Sequence, residues 1–185
     1  MARDRTADVE TVSTRLVYEN KWMRVREDLI RRRDGTHGIY GVVEKADFAV
    51  IVPKEDDGSV HLVEQYRYPV QARYWELPQG AWELAPGIDP LELAQADLRE
   101  ETELTASRMS HVGHLFEAYG YCNQGYHVFL ATGLARCEAQ PDHEEQDLIT
   151  HTFTLCEVER MICDGTIKDA TTIAAFGFLR LKGLI

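Results

Sequence analysis

The chain has 185 residues, of which 44% are hydrophobic and 28% are charged, so it is long enough for one globular domain with a substantial core. Its formal net charge of -11 argues against a nucleic-acid partner, because binding a phosphate backbone requires a basic surface. Small phosphorylated ligands stay compatible with this charge, since one bound cation can reverse the local field.

The start of the chain and the cysteines indicate a cytoplasmic protein. Met1-Ala2-Arg3-Asp4-Arg5 is polar and lacks the apolar core of a secretory signal. No apolar run approaches the roughly 18 residues that span a membrane, so no membrane partner is expected. The four cysteines show neither Cys-x-x-Cys spacing nor a zinc-like pairing with histidine, so we expect free thiols.

The N-terminal part of the chain is expected to be rich in strands. We predict disorder over residues 1–12 and an antiparallel strand region over residues 13–45. In that region β-branched and aromatic residues surround a turn signal at Asp34-Gly35. Residues 46–185 are predicted to form the main domain.

The main domain opens with clear strand and helix signals. Phe48 to Pro53 is a short apolar run typical of a buried central strand. Asp56-Asp57-Gly58 predicts a hairpin turn before a partner strand over Val60 to Tyr66. Asp89-Pro90 combines an N-cap with proline at the first helical position, which predicts a helix from Pro90 to about Thr105.

The order of the elements predicts the fold class. One stripe of the helix is expected to face the core, formed by Leu91, Ala94, Leu98 and Thr102, with Leu104 after it. Strands are predicted near residues 110–117, 125–134 and 149–154, and helices over residues 155–163 and 170–181. Strands, a helix, more strands and final helices predict an α/β fold with a mixed sheet covered on both faces, an α/β/α sandwich.

Three carboxylates are expected to converge on one face of the predicted helix. Asp97, Glu100 and Glu101 are three and four residues apart, and residues at that spacing share a face. Carboxylates so close together repel one another unless a hard divalent cation with oxygen ligands, such as Mg²⁺, lies between them. The cluster predicts metal-assisted attack on a phosphate ester or anhydride. The alternative is a solvated acidic face on a surface helix.

These residues resemble the signature of the Nudix hydrolase family, G-x5-E-x7-R-E-U-x-E-E-x-G-U, where U is a bulky aliphatic residue. Gly80 matches the opening glycine, Asp97-Leu98 the central acid and aliphatic residue, Glu100-Glu101 the paired glutamates and Leu104 the closing aliphatic residue. The stretches 62–69, 75–80 and 165–175 resemble the ADP-ribose and nucleoside-diphosphate-sugar pyrophosphatase branch, as does the strand-rich N-terminus. The resemblance implies a Nudix-type α/β/α sandwich preceded by an antiparallel strand region.

The signature departs from the family pattern at several positions. Ala96 replaces the family arginine, Asp97 is a shortened acid, and the upstream glutamate aligns with Ile88. Glu103 stands at the glycine position, which predicts a helix end without the usual left-handed cap, or a helix that continues further. Because the family arginine orients the glutamates, a non-catalytic or weakly active nucleotide-binding module with the same fold is the alternative to an active hydrolase.

The resemblance implies a metal site and a general base. Mg²⁺, with Mn²⁺ as the alternative ion, would be held by Asp97, Glu100 and Glu101 and by the backbone carbonyl of Gln79 or Gly80. The paired glutamates would be the catalytic residues of the box. The general base is expected at Glu144 or Glu145, in an acidic segment that could instead be a solvated loop.

The resemblance also implies a substrate, a nucleoside diphosphate linked to another moiety, as in ADP-ribose or a nucleotide sugar. Arg67 and Glu76 match positions that line the pocket in similar enzymes, and an arginine suits bidentate contact with phosphate. The alternative for Arg67 is a salt bridge to Glu64 or Glu76. Tyr68 and Trp75 are candidates for stacking on a base, and the alternative is that they belong to the core or its rim, as aromatic residues at strand ends commonly do.

A homodimer is implied by the same branch, whose members pair through their N-terminal strands. Trp22, Met23 and Val25 would supply an apolar interface within residues 13–45. The expected protein is therefore a cytoplasmic, homodimeric, Mg²⁺-dependent pyrophosphohydrolase.

Overall fold

The structure is a computed structural model that describes residues 8–81, 87–137 and 148–185. Within these residues the strands are β1 (Val9–Glu19), β2 (Arg24–Arg32), β3 (His37–Glu44), β4 (Phe48–Pro53), β5 (Val60–Arg67), β6 (Ala72–Glu76), β7 (Gln79–Gly80), β8 (Leu104–Phe116), β9 (Gly125–Arg136) and β10 (Ile149–Phe153). The helices are α1 (Pro90–Thr102), α2 (Leu155–Cys163) and α3 (Ala170–Leu181). No helix in the described ranges is long and apolar enough to cross a membrane.

The chain divides into two compact units. The first unit contains the described residues up to Ala46 together with Phe116–Gly125. The second unit contains the described residues of Asp47–Leu115 and Tyr126–Ile185. The segment Phe116–Gly125 joins the N-terminal strands through backbone hydrogen bonds, one from Val43 to Tyr121 at 2.8 Å and one from Asn123 to Val43 at 3.1 Å. This pairing joins positions about eighty residues apart, which is why local patterns did not indicate it.

The first unit is built on a three-stranded antiparallel sheet in the order β1-β2-β3. The predicted turn lies between β2 and β3, where Gly35 has a φ of 83° and the carboxylate of Asp34 accepts hydrogen bonds from Thr36. β1 begins at Val9, so residues 9–12, which we expected to be disordered, are part of this strand. Register pairs such as Val9 with Arg32 hold them to β2.

The second unit contains a mixed four-stranded sheet in the order β7-β4-β9-β8 and an antiparallel sheet in the order β10-β5-β6. β4 is parallel to β9 and antiparallel to β7. Its residues alternate, so Ala49 and Ile51 face α1 while Val50 and Val52 join the cluster that contains residues of α2 and α3. Helices therefore cover both faces of a mixed sheet, which confirms the predicted α/β/α architecture.

Helix α1 begins as predicted and ends earlier than predicted. The carboxylate of Asp89 caps it by accepting a hydrogen bond from the backbone N–H of Leu91 at 2.9 Å, and Pro90 starts the first turn. The predicted core stripe was wrong at Leu91, which is 36% exposed, whereas Leu93 is buried. The buried face consists of Leu93, Ala94, Asp97, Leu98, Glu101 and Thr102. The buried face therefore keeps Ala94, Leu98 and Thr102 of the predicted stripe and adds Leu93 and two carboxylates.

The two C-terminal helices match their predicted bounds. α2 starts at a capping box, in which Thr154 and Glu157 exchange hydrogen bonds between side chain and backbone. α3 starts at Asp169, whose carboxylate accepts hydrogen bonds from the backbone N–H groups of Thr171 and Thr172. These local caps fix where each helix begins, at the positions that the sequence analysis predicted.

Candidate active site

Two carboxylates of α1 are buried against the short strand β7. Asp97 and Glu101 are each 5% exposed and lie one helical turn apart. The backbone N–H of Gln79 donates to Oε2 of Glu101 at 3.4 Å. A β-carbon at position 80 would lie 2.7 Å from Oδ1 of Asp97, so only glycine allows this close approach of backbone and carboxylate. The helix therefore presents two acids directly to Gln79 and Gly80.

The third predicted acid, Glu100, is half-buried and lies at a cavity beside the end of α1. This cavity has a volume of about 600 Å³, and Glu101 also lines it. The hydroxyl of Thr150 donates to the backbone oxygen of Glu101 at 3.0 Å, which links this helix end to β10. Glu101 thus contributes both to the contact with β7 and to the cavity wall.

The donor chemistry of this region suits a hard divalent cation. Carboxylate oxygens from Asp97, Glu100 and Glu101 and main-chain oxygens of β7 are the ligand types that Mg²⁺ prefers. The close approach of Asp97 to Gly80 brings a carboxylate beside the strand backbone, as such a shell requires. The residues present therefore fit the cation that the sequence predicted.

Arg67 lies beside a buried glutamate at the end of β5. Its Nε donates to Oε2 of Glu76 at 3.1 Å, and its Nη2 donates to Oε1 of the same carboxylate. Gln65 adds a further hydrogen bond to Oε1 at 2.8 Å. The side chain of Glu76 is 3% exposed whereas that of Arg67 is 40% exposed. The salt bridge that the sequence analysis gave as the alternative for Arg67 is therefore present, with Glu76 as its partner. It holds the guanidinium from its buried side.

Burial and neighbouring charges shift the pKa values of both members of this pair upward. Burial raises the pKa of Glu76, while the hydrogen bond and the positive charge of Arg67 oppose that rise. For Arg67, burial acts to lower the pKa, but the hydrogen bond and charge of Glu76, with the charges of Glu101 and Asp169, raise it above its ordinary value. The guanidinium therefore stays protonated and lies within the field of the α1 carboxylates.

Asp169 is a site residue that the sequence reasoning did not assign. Besides capping α3, its Oδ2 accepts from the hydroxyl of Thr172 at 2.7 Å and from the side-chain amide of Gln79 at 3.4 Å. Thr172 in turn accepts from the backbone N–H of Leu77 at 2.8 Å. The start of α3 thus holds the segment that leads into β7. The signal was available, because Asp169 precedes a helix at the N-cap position.

The remaining predicted residues have different outcomes. Tyr68 is 77% exposed and begins the short 3₁₀ turn Tyr68–Val70 directly after Arg67. Trp75 packs edge-on against Phe153 with ring centroids 5.0 Å apart, so it belongs to the core margin. Glu144 and Glu145 lie outside the described residues.

Comparisons with known proteins identify the family of this chain. Residues 9–43 match the family model described as the nucleoside diphosphate sugar hydrolase N-terminal domain. Over 168 residues the chain is 33% identical to the ADP-ribose pyrophosphatase of Mycobacterium tuberculosis (strain ATCC 25618 / H37Rv), covering 90% of this chain and 81% of that protein. The chain belongs to the Nudix hydrolase family.

Further relatives give the same result for branch and fold. The ADP-ribose pyrophosphatase of Bacillus subtilis (strain 168) is 23% identical over 179 residues, covering 96% of both proteins. The crystal structure of an ADP compounds hydrolase superposes with a TM-score of 0.83 at 18% identity, covering 98% of this chain and 100% of that one. The chain is thus a Nudix-type hydrolase of the ADP-ribose and nucleoside-diphosphate-sugar pyrophosphatase branch.

The Nudix box of this hydrolase ends in an unexpected way. Glu103, at the glycine position, has a φ of 57°, in the left-handed region, and its N–H donates to the backbone oxygen of Arg99. The prediction of a different helix end was therefore wrong, because Leu104 is buried in the core and the chain must turn sharply to reach it. Ala96, at the position of the family arginine, is half-buried, whereas Arg99 is exposed.

Proposed function

We propose that this Nudix hydrolase cleaves the diphosphate linkage of ADP-ribose or of a nucleotide sugar with Mg²⁺, Mn²⁺ being the alternative ion. The observation that carries the proposal is the burial of Asp97 and Glu101 against β7, next to the cavity that Glu100 also lines. Two relatives named as ADP-ribose pyrophosphatases support ADP-ribose as the first substrate to test.

The acids of α1 would hold the cation together with the main-chain oxygen of Gly80. When bound, the cation would neutralise phosphate oxygens and lower the pKa of a coordinated water. Burial and the backbone of β7 restrict the side chains of Asp97 and Glu101, which supports this role for them. Enzymes that catalyse reactions at phosphorus depend mainly on such positioning and charge neutralisation.

Arg67 would contact the diphosphate, and Glu76 would orient it. Glu76 binds Nε and Nη2 of the guanidinium from the protein interior. An arginine has five N–H donors, so the partly exposed guanidinium retains donors for a phosphate oxygen. Tyr68, which follows Arg67 and is exposed, would stack on the base of the substrate. The general base would be Glu144 or Glu145.

The function is tested by measuring product release from ADP-ribose and from a panel of sugar nucleotides with Mg²⁺ or Mn²⁺. We expect hydrolysis in the wild type and loss of about 10³-fold in kcat for Glu101→Gln, since the substitution removes a charge from the proposed shell. Glu92→Gln is the matched control, because Glu92 is exposed in the first turn of the same helix. Equal rates in Glu101→Gln and the wild type would contradict the proposal.

The second candidate function is a non-catalytic or weakly active nucleotide-binding module. Ala96, half-buried at the position of the family arginine, is the observation that favours it. Tight binding of ADP-ribose without product at any metal concentration would establish this alternative. If the absent side chain limits an active enzyme, Ala96→Arg raises the rate.

We also propose that the protein is a homodimer joined through the β1 sheet. Every residue of β1 is exposed, including Val12, Leu16 and Val17, and Trp22 is exposed on the following turn. An uncovered apolar edge strand favours pairing with a second copy. Light scattering after size-exclusion chromatography should give a dimer for the wild type and a monomer for Leu16→Glu. Leu181→Glu, at a residue that is 90% exposed, should stay dimeric.

A cytoplasmic location remains part of the proposal. All four cysteines are free thiols in the structure, with Cys122 buried. Free thiols are the rule in a reducing compartment.

A further inference from the structure

Four ionisable side chains gather on the mixed sheet outside the proposed catalytic residues. His111 and His114 lie on β8, His127 lies on β9, and Asp47 directly precedes β4. They belong to the same compact unit. We refer to these four residues as the histidine cluster.

The ligand atoms of three of these residues converge. Nε2 of His114 lies 2.9 Å from Oδ2 of Asp47, and the rings of His114 and His127 have centroids 4.8 Å apart. One ligand atom each from Asp47, His114 and His127 lies within 4.8 Å of the other two. Ligand atoms around a tetrahedral Zn²⁺ are about 3.4 Å apart, given metal–ligand lengths of about 2.1 Å. Side-chain shifts of about 1.5 Å or less would therefore complete the shell.

We propose that Asp47, His114 and His127 form a second metal site, which binds a divalent transition-metal ion such as Zn²⁺. Two imidazole nitrogens and one carboxylate oxygen suit Zn²⁺, Co²⁺ or Ni²⁺, whereas Mg²⁺ prefers oxygen ligands alone. Three protein ligands leave the fourth position to water. The side chains of His114 and Asp47 are 31% and 45% exposed, so an ion can reach them from solvent.

His111 positions one of these ligands. Its Nε2 lies 3.1 Å from Nδ1 of His127, and its ring packs on the buried Phe129 with centroids 5.1 Å apart. Hydrogen bonds of this kind orient metal-binding imidazoles and set their tautomer.

The second site is distinct from the proposed Mg²⁺ site. In the sheet Ala49 pairs with Gly80 on one side and with His127 on the other. Gly80 and His127 are therefore two strand spacings apart, about 10 Å between Cα atoms. The donor atoms are oxygen at one site and mainly nitrogen at the other. The first site would therefore bind Mg²⁺ and the second a transition-metal ion.

The test uses the full-length protein after chelator treatment, titrated with Co²⁺ in excess Mg²⁺ and followed by the visible d–d absorption of the ion. We expect one equivalent of Co²⁺ to bind and Zn²⁺ to displace it. His114→Ala should weaken binding by more than about 100-fold, since loss of an orienting residue alone costs 10- to 100-fold. His111→Ala should weaken it by about 10-fold or more. Wild-type protein that binds no Co²⁺ would overturn the proposal.

Matched variants separate this site from other histidines and acids. His37→Ala removes an exposed histidine of β3 and should leave Co²⁺ binding unchanged. Glu101→Gln should also leave the Co²⁺ spectrum unchanged, because that residue belongs to the other site. If circular dichroism shows that His114→Ala is unfolded, Asp47→Asn decides the matter at an exposed position. Undiminished Co²⁺ affinity in a folded His114→Ala or Asp47→Asn variant would refute the site.

Discussion

At the β7 edge of the mixed sheet the ionisable groups are carboxylates buried against the backbone, whereas toward β8 they are imidazoles and an aspartate partly open to solvent. Asp97 and Glu101 are each 5% exposed, whereas Asp47 lies among the exposed residues. Burying a carboxylate costs several kcal/mol unless partners or a cation compensate, so the first arrangement depends on contacts such as the one from the N–H of Gln79 to Glu101. An exposed cluster carries little such penalty and can adjust to an ion.

The sharpest test of this contrast makes the same substitution, aspartate to asparagine, at each of the two sites. Asp97→Asn should lower kcat for ADP-ribose by about 10²- to 10³-fold while leaving Co²⁺ affinity unchanged, because it removes an oxygen ligand of the Mg²⁺ site only. Asp47→Asn should lower the Co²⁺ affinity and leave kcat for ADP-ribose unchanged. Steady-state kinetics and Co²⁺ titration on both variants measure it. A single variant that abolishes both properties would mean that the two sites are not independent.

A substitution at Gly80 tests how tightly the carboxylate edge is packed. Gly80→Ala would place a β-carbon 2.7 Å from Oδ1 of Asp97, so we expect a loss of about 1–3 kcal/mol in the free energy of unfolding together with a lower rate. Urea denaturation and kinetics measure the two effects. Gly41→Ala is the control, since a β-carbon there meets nothing within 4 Å. Equal stability in both variants would show that Asp97 moves away easily.

Replacing Arg67 by lysine tests whether geometry or charge matters beside the catalytic acids. Arg67→Lys keeps the charge but loses the paired contact with Glu76, so we expect KM for ADP-ribose to rise by about 10-fold. Arg73→Lys is the matched control, because Arg73 binds Glu64 on the neighbouring strand β6. A KM unchanged in Arg67→Lys would argue for a purely structural ion pair.

The smallest effect is expected at the end of α1. Glu103→Gly relieves a left-handed backbone at a residue with a side chain, so the free energy of unfolding should rise by about 0.5–1 kcal/mol. Thermal unfolding measures the gain. Glu92→Gly, inside the first turn of the same helix, should instead destabilise the protein by a similar amount. A loss of stability in Glu103→Gly would mean that the glutamate side chain makes a compensating contact.

The residues that sequence reasoning located correctly have signals confined to a few neighbouring positions. Asp89-Pro90 marked the start of α1, and the spacing of Asp97 and Glu101 placed both acids on one face. That reasoning misplaced Leu91, because the burial of carboxylates depends on β7, a partner outside the helix. It left the partner of Arg67 open between Glu64 and Glu76, since two strands had to pair before the choice was made.

The sequence by itself indicated the family, through the resemblance of residues 80–104 and their flanks to the Nudix pattern. It also predicted the α/β/α architecture and placed Asp97 and Glu101 on one helix face, because helix caps, strand alternation and i,i+4 spacing act over short distances along the chain. Only the tertiary structure decided that Asp169 supports the segment before β7 and that Asp47 meets His114 and His127. Those contacts join residues that are dozens of positions apart. Their geometry comes from the order of β4, β9 and β8 in the sheet and from the packing of α3, which no local pattern encodes.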